Sequence, residues 1–341
     1  GGDADELLFT KMNGFIRFQT SYQRRSPGFE VNDLGFLRQS DQQGWNNWAA
    51  MNWTKPVLVF QRVNWNFNWW QYWSTEGLAT ERAFNTNAHA TFNNQWSIHF
   101  GGTVGRLGDV FCNRCSRGGP AVRVDQGIWP WAGFVGDGRA AITPEFFVNY
   151  FRGDGGRSTY FSANPFVEVK VGSQLRSSVG LNLTHSINDR QDINPQTDSL
   201  NQTHYLIARI DQQELGMTFR MDYTITPTLT FQLYAQPFVS KATWSNLREL
   251  SPTPRATSYD DRYQPYAGTM EPDFNNKFFN SNLVLRWEYR PGSTLYVVWN
   301  QGRQHFEDTM GDRTFTGDFG ELFNSYPYNT FLIKASYWLS L

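Results

Sequence analysis

Apolar and polar residues alternate with a period of two along most of this chain. Phe331, Ile333, Ala335, Tyr337, Leu339 and Leu341 mark one face of the last segment, with Lys334, Ser336 and Ser340 on the other. Leu283, Leu285, Trp287 and Tyr289 alternate with Asn282, Arg286, Glu288 and Arg290. Leu215, Met217, Phe219, Met221, Tyr223 and Ile225 alternate with Thr218, Arg220, Asp222 and Thr224, and Val63, Trp65, Phe67 and Trp69 with Asn64, Asn66 and Asn68. Successive side chains of a strand point to opposite faces, so these runs predict half-buried β-strands. Short turns bearing Gly, Pro or Asn are predicted at 54–56, 93–95, 136–138, 172–174, 226–228 and 291–293. Longer connections fall near 24–43, 74–80, 109–119, 186–202, 243–276 and 306–327, with one tight turn at 154–156. Short and long connections interleave, as in an outer-membrane barrel. That rhythm requires 203–225 to be one long strand. The prediction is an all-β fold, a transmembrane antiparallel β-barrel of about fourteen strands. It occupies 1–341 as one domain, begins with 14–23, ends with 328–341 and has both termini periplasmic.

Composition sharpens this picture. Aromatics are 17% of residues and charged residues only 18%, against ~25% charged in ordinary soluble domains. Mean hydropathy is −0.54, so Asn, Gln, Ser, Thr and Gly replace the missing charge. A soluble sandwich also alternates, but its wet face is usually rich in Lys and Glu. No apolar run is long enough for a membrane helix. A net charge of −1 without a basic block argues against nucleic acid. The chain opens Gly1-Gly2 with no Met or signal region, as a processed or truncated product would.

Five segments go beyond generic patterning: Ser26 to Leu37, Arg117-Gly118-Gly119-Pro120, Leu229 to Phe238, Leu285 to Ser293, and Phe331 to Leu341. In this order they resemble the C-terminal part of a family of large bacterial outer-membrane proteins of unassigned function. That family has an N-terminal module similar to family-9 carbohydrate-binding modules, followed by a barrel domain. The resemblance implies an upstream portion holding that module and the first barrel strands. The sheet's partners would then be outer-membrane lipid and either the N-terminal barrel portion of the same precursor or a partner chain. It supplies no catalytic residues.

Candidate chemistry is sparse. Cys112-x-x-Cys115 lies in an expected outer loop, where an oxidising compartment favours a disulfide. A structural zinc site would need a second ligand pair. His89 and His99 are predicted to sit opposite each other on the lumen face. They read as a hydrogen-bonded polar pair or, alternatively, as two ligands for a shared metal or a pH-responsive pair. Glu168, Lys170, Arg176, Arg220, Asp222, Arg286, Glu288 and Arg290 are lumen-lining candidates. They would tune solute passage or stitch the wall by salt bridges. Loop carboxylates Asp189, Asp192 and Asp198, and Asp308, Asp312 and Asp318, lack EF-hand spacing and read as solvated rather than calcium-binding. Trp45, Trp48, Trp53, Trp65, Trp69, Trp70 and Trp73 read mainly as interfacial anchors. Trp70 and Tyr72 are the exceptions, pointing inward. No nucleophile–base motif is present, so no catalytic residue, metal or cofactor is assigned. The functional expectation is a channel, transporter or surface scaffold handling a glycan or small solute. The alternatives are the anchor of a glycan-binding or glycan-hydrolysing surface protein whose active part lies upstream, and a barrel hydrolase.

Overall fold

Two-faced strands must find backbone partners along both edges, and antiparallel neighbours joined by tight turns supply them most directly. The computed structural model describes residues 1–33, 35–37, 39–311 and 314–339. Leu34 of the first resemblance segment, the calcium candidate Asp312, and Ser340 and Leu341 of the last alternating run lie outside the described residues. The architecture is one antiparallel sheet of 16 strands. Fifteen of them pair in chain order. These are β1 (Ala4–Lys11), β2 (Ile16–Arg25), β3 (Gln42–Trp53), β4 (Phe60–Trp73), β5 (Ala79–Phe92), β6 (Ser97–Gly105), β7 (Gly127–Val135) and β8 (Ile142–Gly153). They continue as β9 (Ser158–Val171), β10 (Leu175–Asp192), β11 (Leu206–Thr226), β12 (Leu229–Leu250), β13 (Phe274–Arg290), β14 (Ser293–Glu307) and β15 (Tyr328–Ala335). Tyr263–Pro265 adds a short strand to the end of β12. The α-helix α1 (Phe315–Asn324) interrupts the connection expected at 306–327, and Thr314 caps it by accepting from the Gly317 N–H.

The structure corrects two expectations. A strand, β1, precedes the run at 14–23. Its consecutive Leu7, Leu8 and Phe9 hide the period of two. With fifteen strands in series, the two ends of the described path fall on opposite sides. Ala4 lies beside Arg25 at the long-loop end, whereas β15 finishes at the short-turn end, where Ala335 pairs with Leu295. The described ends of the strand path therefore lie on opposite sides, where fourteen strands would put both on one. The strand at 16–25 pairs with β1 and β3 rather than with 328–335. Among the described residues β1 and β15 each have one partner strand, and no pairing between them closes the sheet.

The stretch at 203–225 is largely one strand, β11, of 21 residues, paired with the 22-residue β12. At ~3.4 Å per residue each spans roughly 70 Å. Both β10 and β12 thus run well into connections expected to be irregular.

Register separates two unlike faces. Asn64, Asn66 and Asn68 lie opposite His89, Asn87 and Asn85, which lie opposite His99, Gly101 and Thr103. The other face carries exposed Trp65, Trp69, Phe84 and Phe100. Buried apolar side chains gather instead where loops cross the strand ends, with Val122, Ile207, Leu250, Tyr259 and Tyr263 in one cluster. Ile193, Leu206 and Ala208 form another.

A carboxylate–imidazole contact ties the 193–205 loop to this end. His204 pairs with Glu249, and Asp198 lies 3.6 Å from its other ring nitrogen. The Glu249 carboxylate holds the imidazole above its ordinary pKa. The folded value exceeds the unfolded one, so the stabilisation is complete below the usual histidine range and is lost as pH rises through the raised value. Hydrogen-exchange protection of the Gln196–Thr197/Thr203–His204 ribbon should therefore hold up to the ordinary histidine range, ~6.5, and fall as pH rises beyond it. In His204→Gln that pH dependence should vanish.

Candidate functional site

Asparagine is a poor strand former, so rows of it on one sheet face need partners of their own. Here the amides bond to one another across the strands. Asn85 Nδ2 donates to the Gly102 carbonyl at 3.0 Å and to Thr103 Oγ1 at 2.9 Å. A carbonyl only accepts, which orients this amide. Asn85 Oδ1 then accepts from Asn68 Nδ2 at 2.9 Å and Asn87 Nδ2 at 2.7 Å. From the other side the Trp48 indole N–H donates to Asn66 Oδ1 at 3.0 Å, and Asn66 Nδ2 donates to Asn87 Oδ1 at 2.8 Å. Two independent anchors thus point the Asn87 oxygen toward His89.

His89 and His99 are directly opposite in β5 and β6. Their Nδ1 atoms are 2.8 Å apart, and His89 Nε2 is 3.0 Å from Asn87 Oδ1. With Asn87 accepting, His89 carries its proton on Nε2 and accepts through Nδ1. His99 then carries its proton on Nδ1, leaving its Nε2 lone pair for solvent or solute. Trp131 and Phe147 flank the pair, each with a ring centroid 5.9 Å from one imidazole.

The aromatic wall around this pair extends beyond Trp70 and Tyr72. Trp48, Trp129 and Trp131 share the amide face by register, which corrects the assignment of Trp48 as an interfacial anchor. Glycines make room for these rings. A Cβ at Gly133 would lie 2.3 Å from Phe147 Cδ1, and one at Gly105 would lie 2.9 Å from Trp129 Cζ3. The sequence signal is an aromatic opposite a Gly, as Phe147 is to Gly133, or diagonal to one, as Trp129 is to Gly105, and it becomes readable only once the strands are in register.

The charged candidates lie farther round the sheet and pair locally. Glu168 Oε1 is 3.2 Å from Lys170, and its Oε2 is 2.6 Å from Arg176. Asp222 accepts from Gln232 at 2.9 Å, Arg220 lies over the Tyr234 ring, and Arg286 is 3.4 Å from Glu288. Arg290 bonds to the Tyr337 hydroxyl. Among the described residues no hydrogen bond or ion pair joins these groups to the histidine pair.

Cys112 and Cys115 are disulfide-bonded, with Cα atoms 5.6 Å apart. Of the loop carboxylates, Asp189, Asp192, Asp198 and Asp318 are each held by cations, an amide or backbone N–H groups. Asp189 meets Arg209 and Arg248, each at 3.3 Å, and Asp192 meets Arg117 at 2.6 Å. Asp198 accepts from the Leu200 and Gln202 N–H groups. Asp318 on α1 contacts Lys241 at 3.3 Å and Asn275 at 2.8 Å. His305, Glu307 and Glu321 bring ligand atoms close enough for a metal. The buried Lys277 ammonium, however, lies 2.7 Å from Glu307 and 2.8 Å from Glu321, already supplying positive charge there.

Fold and site together define an all-β protein built on one large antiparallel sheet, with one face apolar and the other amide-rich and lined with rings. The chain belongs to the family described as Domain of unknown function (DUF5916), which matches residues 1–341. No curated protein and no solved structure matches it.

The tautomers are directly measurable. Imidazole ¹⁵N shifts should show His89 protonated at Nε2 and His99 at Nδ1. Asn87→Leu should remove this fixed arrangement, and an unchanged pattern in that variant would contradict the network.

Proposed function

We propose that this chain forms part of the wall of a bacterial outer-membrane β-barrel, its amide face lining a wet lumen through which small solutes are bound or passed. The observation that carries the reading is the pairing of an exposed apolar face with an amide-rich opposite face. Trp69, Phe100, Trp287 and Trp299 are 43%, 51%, 47% and 37% exposed, an area of apolar surface that water disfavours. Lipid would cover it, while the Asn face stays hydrated. The apolar band also has a boundary. Toward the loop end the same strand parity changes from Leu285 and Leu283 to Lys277 and Asn275, where α1 packs. Strands carried past a bilayer would change in this way.

The free edges of β1 and β15 fit the same reading. An unpaired backbone edge cannot face hydrocarbon, where each orphan polar group costs several kcal/mol. In the intact protein these edges would meet upstream strands of the same precursor or a partner chain, in keeping with the resemblance to a large outer-membrane family. A role in carbohydrate handling draws on the rings of Trp48, Trp129 and Trp131 beside amides, a combination suited to the apolar faces and hydroxyls of sugars. Planar-bilayer conductance separates a channel from the sealed anchor of a glycan-binding or glycan-hydrolysing surface protein.

Reconstitution tests the membrane reading. In variants keeping only Trp69 or only Trp48, brominated lipid should quench Trp69 and spare Trp48. Phe100→Arg should destabilise the reconstituted protein by roughly 2–4 kcal/mol if the position lies near the bilayer midplane. An exposed site in water would tolerate that change within about 0.5 kcal/mol. Equal quenching of both tryptophans, or a neutral Phe100→Arg, would refute the assignment.

A further inference from the structure

The amide face ends, near the long loops, in a cavity of about 480 Å³. Its floor is built by β2, β4 and β5, which supply Arg25, Trp70, Tyr72 and Glu81, and the disulfide loop forms its roof with Phe111, Cys112, Arg114 and Cys115. Arg106, just past β6, and Arg190, near the end of β10, close the sides. Strands so far apart in the sheet share one cavity because the sheet curves around its amide face.

The charges in this space are unevenly matched. Arg25 has only neutral partners among the described residues: the Gln39 carbonyl and Gln42 Oε1 at 3.5 Å, and Gln23 Oε1 at 3.4 Å. Arg106 Nη1 is buried without a hydrogen-bond partner. Its nearest carboxylate, Asp154, is 4.0 Å away and lies 2.8 Å from Arg190. Glu81 Oε1 is engaged by the Arg106 backbone N–H at 3.3 Å. A buried donor left unsatisfied is costly, and a guanidinium fork matches the two oxygens of a carboxylate or phosphate. Trp70, Tyr72 and Phe111 add flat apolar surface, and Gln23 and Gln42 add groups that can bond to hydroxyls.

We propose that this cavity binds a small oxyanion carried on a polyhydroxylated ring, a uronic acid or a sugar phosphate, with Arg25 and Arg106 taking the anionic group. The disulfide belongs to the same device, because it fixes the roof segment that carries Arg114 between its two cysteines. The assignment goes beyond the membrane reading and does not depend on it, since binding is read on the solubilised full chain whether or not that chain partitions into lipid.

Isothermal titration with glucuronate, glucose 6-phosphate, glucose and acetate tests it. Glucuronate or glucose 6-phosphate should bind, and the tighter of the two identifies the anionic group. Glucose, which lacks the anion, should bind about tenfold or more weakly, the worth of a charge-assisted hydrogen bond, and acetate, which lacks the hydroxylated ring, should also bind more weakly. Glucose binding as well as glucuronate would overturn the anion site. Acetate binding as well would reduce it to an adventitious ion only. Failure of all four to bind would also overturn it. Arg25→Gln should weaken binding about tenfold or more while leaving the thermal transition in place, because its partners are neutral. Reducing the disulfide in the unmodified protein should weaken binding several-fold. Full affinity in either case would overturn the assigned geometry.

Discussion

The antiparallel hydrogen-bond ladder, with side chains thrown alternately to its two sides, is the constraint on which the rest of this protein depends. Once Asn66 lies opposite Asn87 and Asn87 opposite Gly101, every other residue along those strands is committed to one face or the other. A slip of one residue would place Trp65 and Trp69 among the amides and strand the asparagines on the apolar side. The asparagine network, the histidine pair and the ring-over-glycine contacts all rest on this register. None of them would survive as a local motif.

Where the loops cross the strand ends, charge takes over much of the work that a hydrophobic core does elsewhere. Asp189 is buried and receives Arg209, Arg248 and the Tyr259 hydroxyl, the last at 2.7 Å. Burial raises the Tyr259 pKa, so the phenol stays protonated and donates. Arg262 is fully buried and donates to the Ala256, Thr257 and Arg123 carbonyls and to Asp125. This joins the 251–273 loop to the disulfide loop. Such groups are expensive to desolvate, and breaking one partner leaves an uncompensated charge, a loss of about 3–5 kcal/mol. Arg106 lies at the edge of this array, where its Nη1 has no hydrogen-bond partner and shares Asp154 with Arg190, and there the cavity opens.

The two ends of the amide face therefore differ in chemistry. The middle of this face, around Asn85, Asn87 and the histidine pair, is neutral and internally bonded. At the loop end it carries arginines whose nearest partners are amides or a shared carboxylate.

Much of this architecture was legible from residue order alone. The alternation around Leu285 and Arg286 and around Leu215 and Arg220 specified strands and their parity, because a period of two needs no knowledge of neighbours. The turn residues at 172–174 and 291–293 marked hairpins for similarly local reasons. His89 and His99 were placed opposite each other because a short turn joins their strands. Contacts between distant segments were not legible. The partnership of Arg190 with Asp154, the path of the disulfide loop over Trp70 and Tyr72, and the packing of α1 on Lys277 and Asn275 join residues with no shared local pattern. β1 escaped because Leu7, Leu8 and Phe9 obscure its parity. Local periodicity determined which face each side chain takes, since the pleat alone dictates that. Which residues of a face meet across a cavity was decided by the curvature of the sheet and the path of its loops, which depend on all the strands at once.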